Sequence, residues 1–126
     1  LQTSHEYAQD CQGEGKHVAG DYWHGIMHRR EPDYGNSKYW FRRVGEHPIF
    51  GELAKQANSI LEECASPNAN AWQKRMAANG WNPNAFVDLC EECANGRDQK
   101  LTLAAKKIQW VEMMLLLQQT YIDAVG

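Results

Sequence analysis

The sequence has no long apolar run and no strong excess of charge of either sign. Its longest uninterrupted apolar segment extends from Met113 to Leu117, far short of the roughly 20 residues that a bilayer-spanning helix needs. Thirteen Lys and Arg stand against sixteen Asp and Glu, and this balance argues against a surface that coats nucleic acid. We therefore expect neither a membrane protein nor a nucleic-acid-binding module.

Cysteine is also scarce. A chain of 126 residues can bury a core without disulfides, so its four cysteines do not indicate a disulfide framework. No basic segment followed by an apolar core near Leu1 marks a secretory signal. These observations predict free thiols in a reducing compartment, and hence a cytoplasmic location, for Cys11, Cys64, Cys90 and Cys93.

Strict alternation of apolar and polar residues is missing as well, whereas apolar residues recur at helical spacing throughout the chain. One apolar face persists for four turns between Pro48 and Cys64. Asn82 followed by Pro83 is typical of a helix start, and Asp98 is a suitable cap for a final helix that extends to about Val125. The pattern predicts an all-α fold, a compact bundle of about six or seven helices that forms a single domain over residues 1–126.

The other helices are expected over residues 4–12, 21–30, 36–45 and 71–79, with Asp21 and Asn36 as caps of the second and third. The second half of the last helix is apolar on both sides, because Trp110 and Leu117 lie opposite Ile108 and Leu115. Such a helix is expected to be central in the bundle.

Two histidines and a carboxylate share one face of the predicted helix after Asp21. At 100° per residue, Asp21, His24 and His28 fall on the same side. Two imidazoles one turn apart and a carboxylate can supply three ligands to a divalent transition metal and leave positions open for water. The alternative is that this face contacts solvent or that the histidines bond to carbonyl groups of the next loop.

Two further positions bear on this metal hypothesis. Glu112 lies among apolar residues of the last helix, so a buried carboxylate there needs a cation, a donor or a proton. His5 adds another imidazole if its helix packs beside the Asp21 helix. An ion pair between Glu112 and a basic residue of another helix is the structural alternative to ligation.

Basic and aromatic residues are mixed in the same region. The combination suits a phosphate or carboxylate group held beside an aromatic platform, and it predicts a small anionic ligand. Arg42 and Arg43 have a structural explanation too, because cations in the last turn of a helix complement its dipole. The residues predicted to bind the ligand are Trp23, Arg29, Arg30, Tyr34 and Lys38.

The run from Tyr22 to Tyr34, YWHGIMHRREPDY, and the segment KYWFRRVG that begins at Lys38 resemble an uncharacterised bacterial protein family that has no assigned activity. Segments near Ser4 and Phe86 share the likeness. Members of that family are longer at the N-terminus, so the resemblance implies that this chain is shortened there. It implies no reaction.

Two functional hypotheses follow. In the first, the helical domain binds a polar, anionic ligand near residues 21–38, with or without a divalent metal; its sharpest form is hydrolysis by metal-bound water with Arg29 or Arg30 stabilising negative charge. In the second, the chain is a structural or interaction module without catalytic activity, and the Trp and Arg residues of the same stretch form a surface for self-association into a homo-oligomer.

Overall fold

The computed structural model of the protein describes residues 17–125, and these form six α-helices without a strand. The predicted all-α fold with about six or seven helices is confirmed. The helix predicted over residues 4–12 lies outside the described residues. The helices are α1 (His17–Arg30), α2 (Tyr34–Val44), α3 (Phe50–Glu63), α4 (Ala69–Met76), α5 (Pro83–Asn95) and α6 (Gln99–Val125).

The chain divides into two compact units, Leu1–His47 and Pro48–Gly126. The described part of the first unit consists of α1 and α2, which we call the α1–α2 hairpin. Its short connection is closed by backbone bonds from Glu31 N to Met27 O (3.0 Å) and from Asp33 N to His28 O (2.7 Å). The helices are antiparallel, since Asp21 contacts Arg43 near one end and Gly25 contacts Ser37 further along.

The second unit, which we call the four-helix unit, contains α3 to α6. Helix α6 packs against α3 and α5, and α4 packs against the same two helices. Helical spacing of apolar residues explains this arrangement, because each helix buries one face. Fully or nearly fully buried side chains from all four helices form its core: Leu53, Ala57, Leu61, Met76, Phe86, Leu89, Leu101 and Ile108.

Helix starts in the four-helix unit follow the sequence closely. The side chain of Asn82 accepts a hydrogen bond from Ala85 N (3.1 Å), so the predicted cap of α5 is confirmed. Asp98 caps α6 in the same way, through Leu101 N (3.0 Å), and Ser66 Oγ donates a further bond to the same carboxylate. This bond holds the segment after α3 to the start of α6.

Two predicted caps in the hairpin are wrong. Helix α1 begins at His17, so Asp21 lies inside it, and the carboxylate bonds to Arg43 rather than to the backbone. Helix α2 begins at Tyr34, and the amide of Asn36 donates to the side chain of Asp33 (2.7 Å) instead of capping the helix. In both cases a side-chain partner takes the place of the free backbone N–H group that a cap would satisfy.

None of the described helices is long and apolar enough to cross a membrane.

Candidate anion-binding site

The centre of the α1–α2 hairpin is an ion pair between a buried carboxylate and a half-exposed guanidinium. The side chain of Asp21 is fully buried, and that of Arg43 is 42% exposed. Arg43 Nε donates to Asp21 Oδ2 at 3.3 Å. The other carboxylate oxygen, Oδ1, is buried and accepts no hydrogen bond within residues 17–125. Asp21 therefore depends on Arg43 to balance its charge.

Arg43 is held on more than one side. Its guanidinium carbon lies 5.3 Å from the centre of the Trp40 ring. The negative charge of Asp21, followed by a smaller effect of the Tyr39 hydroxyl, raises the pKa of Arg43 above its ordinary value. Arg43 thus has a fixed orientation, while part of its guanidinium remains accessible to solvent.

The aromatic ring of Trp40 continues a stack of parallel rings across the hairpin. The imidazole of His24 lies 4.2 Å from Trp40 with an angle of 14° between the ring planes. His28 follows one helical turn later, with its ring centre 6.2 Å from that of His24 and an interplanar angle of 15°. His24 is buried and His28 is partly exposed. The predicted common face of Asp21, His24 and His28 therefore lies against α2.

The outer histidine contacts carboxylates of the connection between the helices. His28 Nδ1 lies 3.4 Å from Glu31 Oε1 and 3.6 Å from Asp33 Oδ2. Both carboxylates are well exposed, so each contact is weak when the imidazole is neutral and is screened by salt when it is charged.

A close approach of the two helix backbones brings these side chains together. Ser37 Oγ donates to Gly25 O at 2.6 Å in a buried position. A methyl group at Gly25 would lie 2.8 Å from Phe41 Cζ and 2.9 Å from both Cε atoms, so the ring of Phe41 occupies the space that a side chain would take. The rings of Tyr22 and Phe41 are in edge-to-face contact, with a centroid distance of 5.3 Å and an interplanar angle of 88°.

The five residues predicted to bind the ligand differ in accessibility. Arg29 is only 3% exposed, and its guanidinium carbon lies 5.8 Å from the centre of Phe41, so solvent scarcely reaches it. Arg30 is exposed, whereas Trp23, Tyr34 and Lys38 are partly exposed. Burial makes Arg29 a poor first contact for a soluble anion, and Arg43 is the better candidate.

The predicted metal ligands are spread over both units. Asp21, His24 and His28 belong to the hairpin, Glu112 is fully buried in α6 of the four-helix unit, and His5 lies outside the described residues. Among residues 17–125, no group of three His, Cys, Asp or Glu side chains has an arrangement that could hold a metal ion. The burial of Glu112 agrees with its position on the helical wheel, and its role as a ligand stays a prediction.

Arg43 and Trp40 are not among the residues that the sequence predicts to bind the ligand, although both belong to its basic and aromatic region. Their contacts with Asp21 and His24 join residues 22 and 16 positions apart. Helical spacing gives one clue, because Trp40 and Arg43 are three residues apart and share a face of α2. Nothing in the sequence shows which residues of α1 that face meets.

No family model matches the chain, and no curated protein or solved structure matches it at a significant level. The resemblance of the segment after Tyr22 to an uncharacterised bacterial family therefore stays a prediction.

Proposed function

We propose that the α1–α2 hairpin binds a small anionic ligand through a carboxylate or phosphate group at Arg43. The observation that carries the proposal is the ion pair with the buried Asp21, which orients the guanidinium of an arginine, Arg43, whose side chain is 42% exposed. A guanidinium has five N–H donors, and only Nε is used by Asp21. The remaining donors match the planar geometry of a carboxylate or the oxygens of a phosphate.

Pre-orientation favours binding because less side-chain entropy is lost when the ligand arrives. Trp40 and Tyr39, whose rings meet edge to face at 5.3 Å, flank the guanidinium and reduce its contact with water. Residues 17–47 also carry five Lys and Arg against four Asp and Glu, in contrast to the acidic chain as a whole.

The metal-dependent form of this hypothesis has less support. Among residues 17–125, His24 and His28 are not joined by a third His, Cys, Asp or Glu side chain in an arrangement that could hold a metal ion. We propose a cytoplasmic location as well, supported by Cys64, Cys90 and Cys93, which form no disulfide.

Nitrogen-15 NMR of the whole chain tests the proposal, with inorganic phosphate and succinate as separate probes at constant ionic strength. We expect saturable shifts of the Arg43 Nε–H and Trp40 indole N–H signals. Arg43→Gln should abolish them, and Arg43→Lys should retain only weak binding because a lysine cannot bind both oxygens in a plane.

Arg75 provides a matched control. It also lies over a tryptophan, Trp72, at 4.2 Å and pairs with a carboxylate, that of Asp88, at 3.0 Å, but this carboxylate is partly exposed. Arg75→Gln should leave the titration unchanged. Shifts of equal size at Arg43 and Arg75 would reveal nonspecific ion association, and unmoved Arg43 and Trp40 signals with both probes would refute the proposal.

A further inference from the structure

Helix α6 has two apolar faces, and only one of them is covered. The covered face is buried in the structure and contributes to the core of the four-helix unit; it carries Leu101, Ala104, Ala105, Ile108, Glu112 and Leu116. On the other side, large apolar side chains of the second half of the helix are 46% to 67% exposed. We call these residues the α6 stripe: Trp110, Met114, Leu117, Tyr121, Ile122 and Val125.

The spacing of the α6 stripe is that of a helix–helix seam. Trp110, Met114, Leu117 and Tyr121 are separated by four, three and four residues, the alternation of the a and d positions of a heptad repeat. This alternation keeps side chains in line along a second helix packed at a small angle. A single pocket or a flat surface would not require it.

The size of the α6 stripe fits a protein partner. Its exposed fractions correspond to about 700 Å² of side-chain surface, close to the ~800 Å² that each partner contributes to a standard stable interface. This area also exceeds the few hundred Å² that monomeric soluble proteins commonly leave in one apolar patch.

Charge along α6 is distributed unequally between its two ends. Lys100, Lys106 and Lys107 lie in the first ten residues, and no Lys or Arg follows them. At 100° per residue Lys106 and Lys107 flank the α6 stripe, and the C-terminal end of the helix is the negative end of its dipole. Two copies of α6 packed antiparallel would bring the basic end of each against the negative end of the other.

We propose that the α6 stripe is the interface of an antiparallel homodimer, in which α6 of a second copy covers it. The heptad register and the helix dipoles select one alignment: Trp110 packs opposite Tyr121 of the other copy, Met114 opposite Leu117, and Lys107 opposite Ala124 at the C-terminal end of the other helix. The interface is isologous, so each contact occurs twice. A parallel pair would instead place Lys106 and Lys107 of the two copies beside each other.

Sedimentation equilibrium of the whole chain between about 1 and 200 µM tests the proposal, because a homodimer of this interface size dissociates measurably on dilution. The wild type should shift from the monomer mass of 14.4 kDa to twice that mass. Leu117→Glu should raise the dimer Kd at least about a hundredfold, since each dimer loses two buried leucines and gains two charges in an apolar seam. Ser59→Glu, which adds the same charge on the exposed side of α3, should change nothing.

A disulfide cross-link tests the antiparallel alignment. Lys107→Cys chains mixed with Ala124→Cys chains should form a cross-linked dimer on mild oxidation, identified by mass spectrometry of the linked peptides, whereas neither variant alone should link through its new cysteine. Circular dichroism should show all variants folded, and Trp110→Lys gives a second disruption of the stripe if Leu117→Glu unfolds. A monomer at every concentration, a dimer indifferent to both stripe variants, or links between identical new cysteines instead of between the two variants would each overturn the proposal.

Discussion

Gly25 is the position at which a single methyl group should disturb the candidate site most. An alanine Cβ there would lie 2.8 Å from Phe41 Cζ and 2.9 Å from the two Cε atoms, whereas carbon atoms in contact normally stay about 3.5–4.0 Å apart. Relief needs a movement of roughly 0.7 Å. Phe41 is 2% exposed and packs against Tyr22, so its ring has little room to yield.

The expected magnitude is the difference between two effects. Overpacking costs about 1–3 kcal/mol, and we expect the upper half of that range, about 2–3 kcal/mol, because the buried ring of Phe41 has little room to yield. Alanine is favoured over glycine inside a helix by about 1 kcal/mol, which offsets part of that cost. Gly25→Ala should therefore lower the free energy of unfolding by about 1–2 kcal/mol. Separation of the helices should also weaken the pair between Asp21 and Arg43, so anion binding should fall with stability.

Urea denaturation followed by tryptophan fluorescence measures this change, with Gly35→Ala as the control. Gly35 is also in the α1–α2 hairpin, and a methyl group there would meet nothing within 4 Å. The control should be neutral or slightly stabilising. In a Phe41→Leu background Gly25→Ala should lower the free energy of unfolding by less than about 0.5 kcal/mol, because leucine leaves room for the added methyl group. A Gly25→Ala variant as stable as the wild type, or a cost unchanged by Phe41→Leu, would refute the proposed close approach.

Two other predictions concern single hydrogen bonds. Ser37→Ala should lower the free energy of unfolding by about 0.5–1.5 kcal/mol, because the buried hydrogen bond from its hydroxyl to Gly25 O is lost. The control is Ser59→Ala, at an exposed serine. Equal effects of the two substitutions would contradict a stabilising role of the buried bond. The hydrogen bond from Ser66, followed by that from Leu101 N, lowers the pKa of Asp98 below its ordinary value of 3.8. The stabilisation from this lowered pKa is therefore complete at pH values above the ordinary pKa and is lost as the pH falls toward the folded-state pKa. The wild type should lose stability between about pH 5 and 2.5 more steeply than Asp98→Asn. Parallel pH profiles of the two proteins would exclude this role.

Helix ends that depend on neighbouring residues could be predicted from the sequence. Asn82 and Asp98 bond to backbone N–H groups three residues further on, so the residues that decide the start of α5 and α6 are adjacent in the chain. The start of α1 could not be predicted in this way. Asp21 has the side chain of a cap, but its partner is Arg43 in the next helix, and a tertiary ion pair leaves no mark on local spacing.

The candidate site could also be predicted only where neighbouring residues of one helix decide the geometry. The wheel correctly placed Asp21, His24 and His28 on one face, because that follows from 3.6 residues per turn. The chemistry of this face depends on the side chains that pack against it. These are Trp40 and Arg43 of α2, and the wheel does not identify them. The contacts of these two residues with His24 and Asp21 are the basis of the proposed anion-binding surface.

The last helix shows why an apolar pattern on both sides does not by itself predict a central position. Helices α3 and α5 contain 14 and 13 residues, about 20 Å each, whereas the 27 residues of α6 extend for about 40 Å. Neither of these neighbours can cover the full length of α6. The apolar side chains of α6 that lie beyond these neighbours therefore stay exposed, and in the proposed dimer the equally long α6 of a second copy covers them.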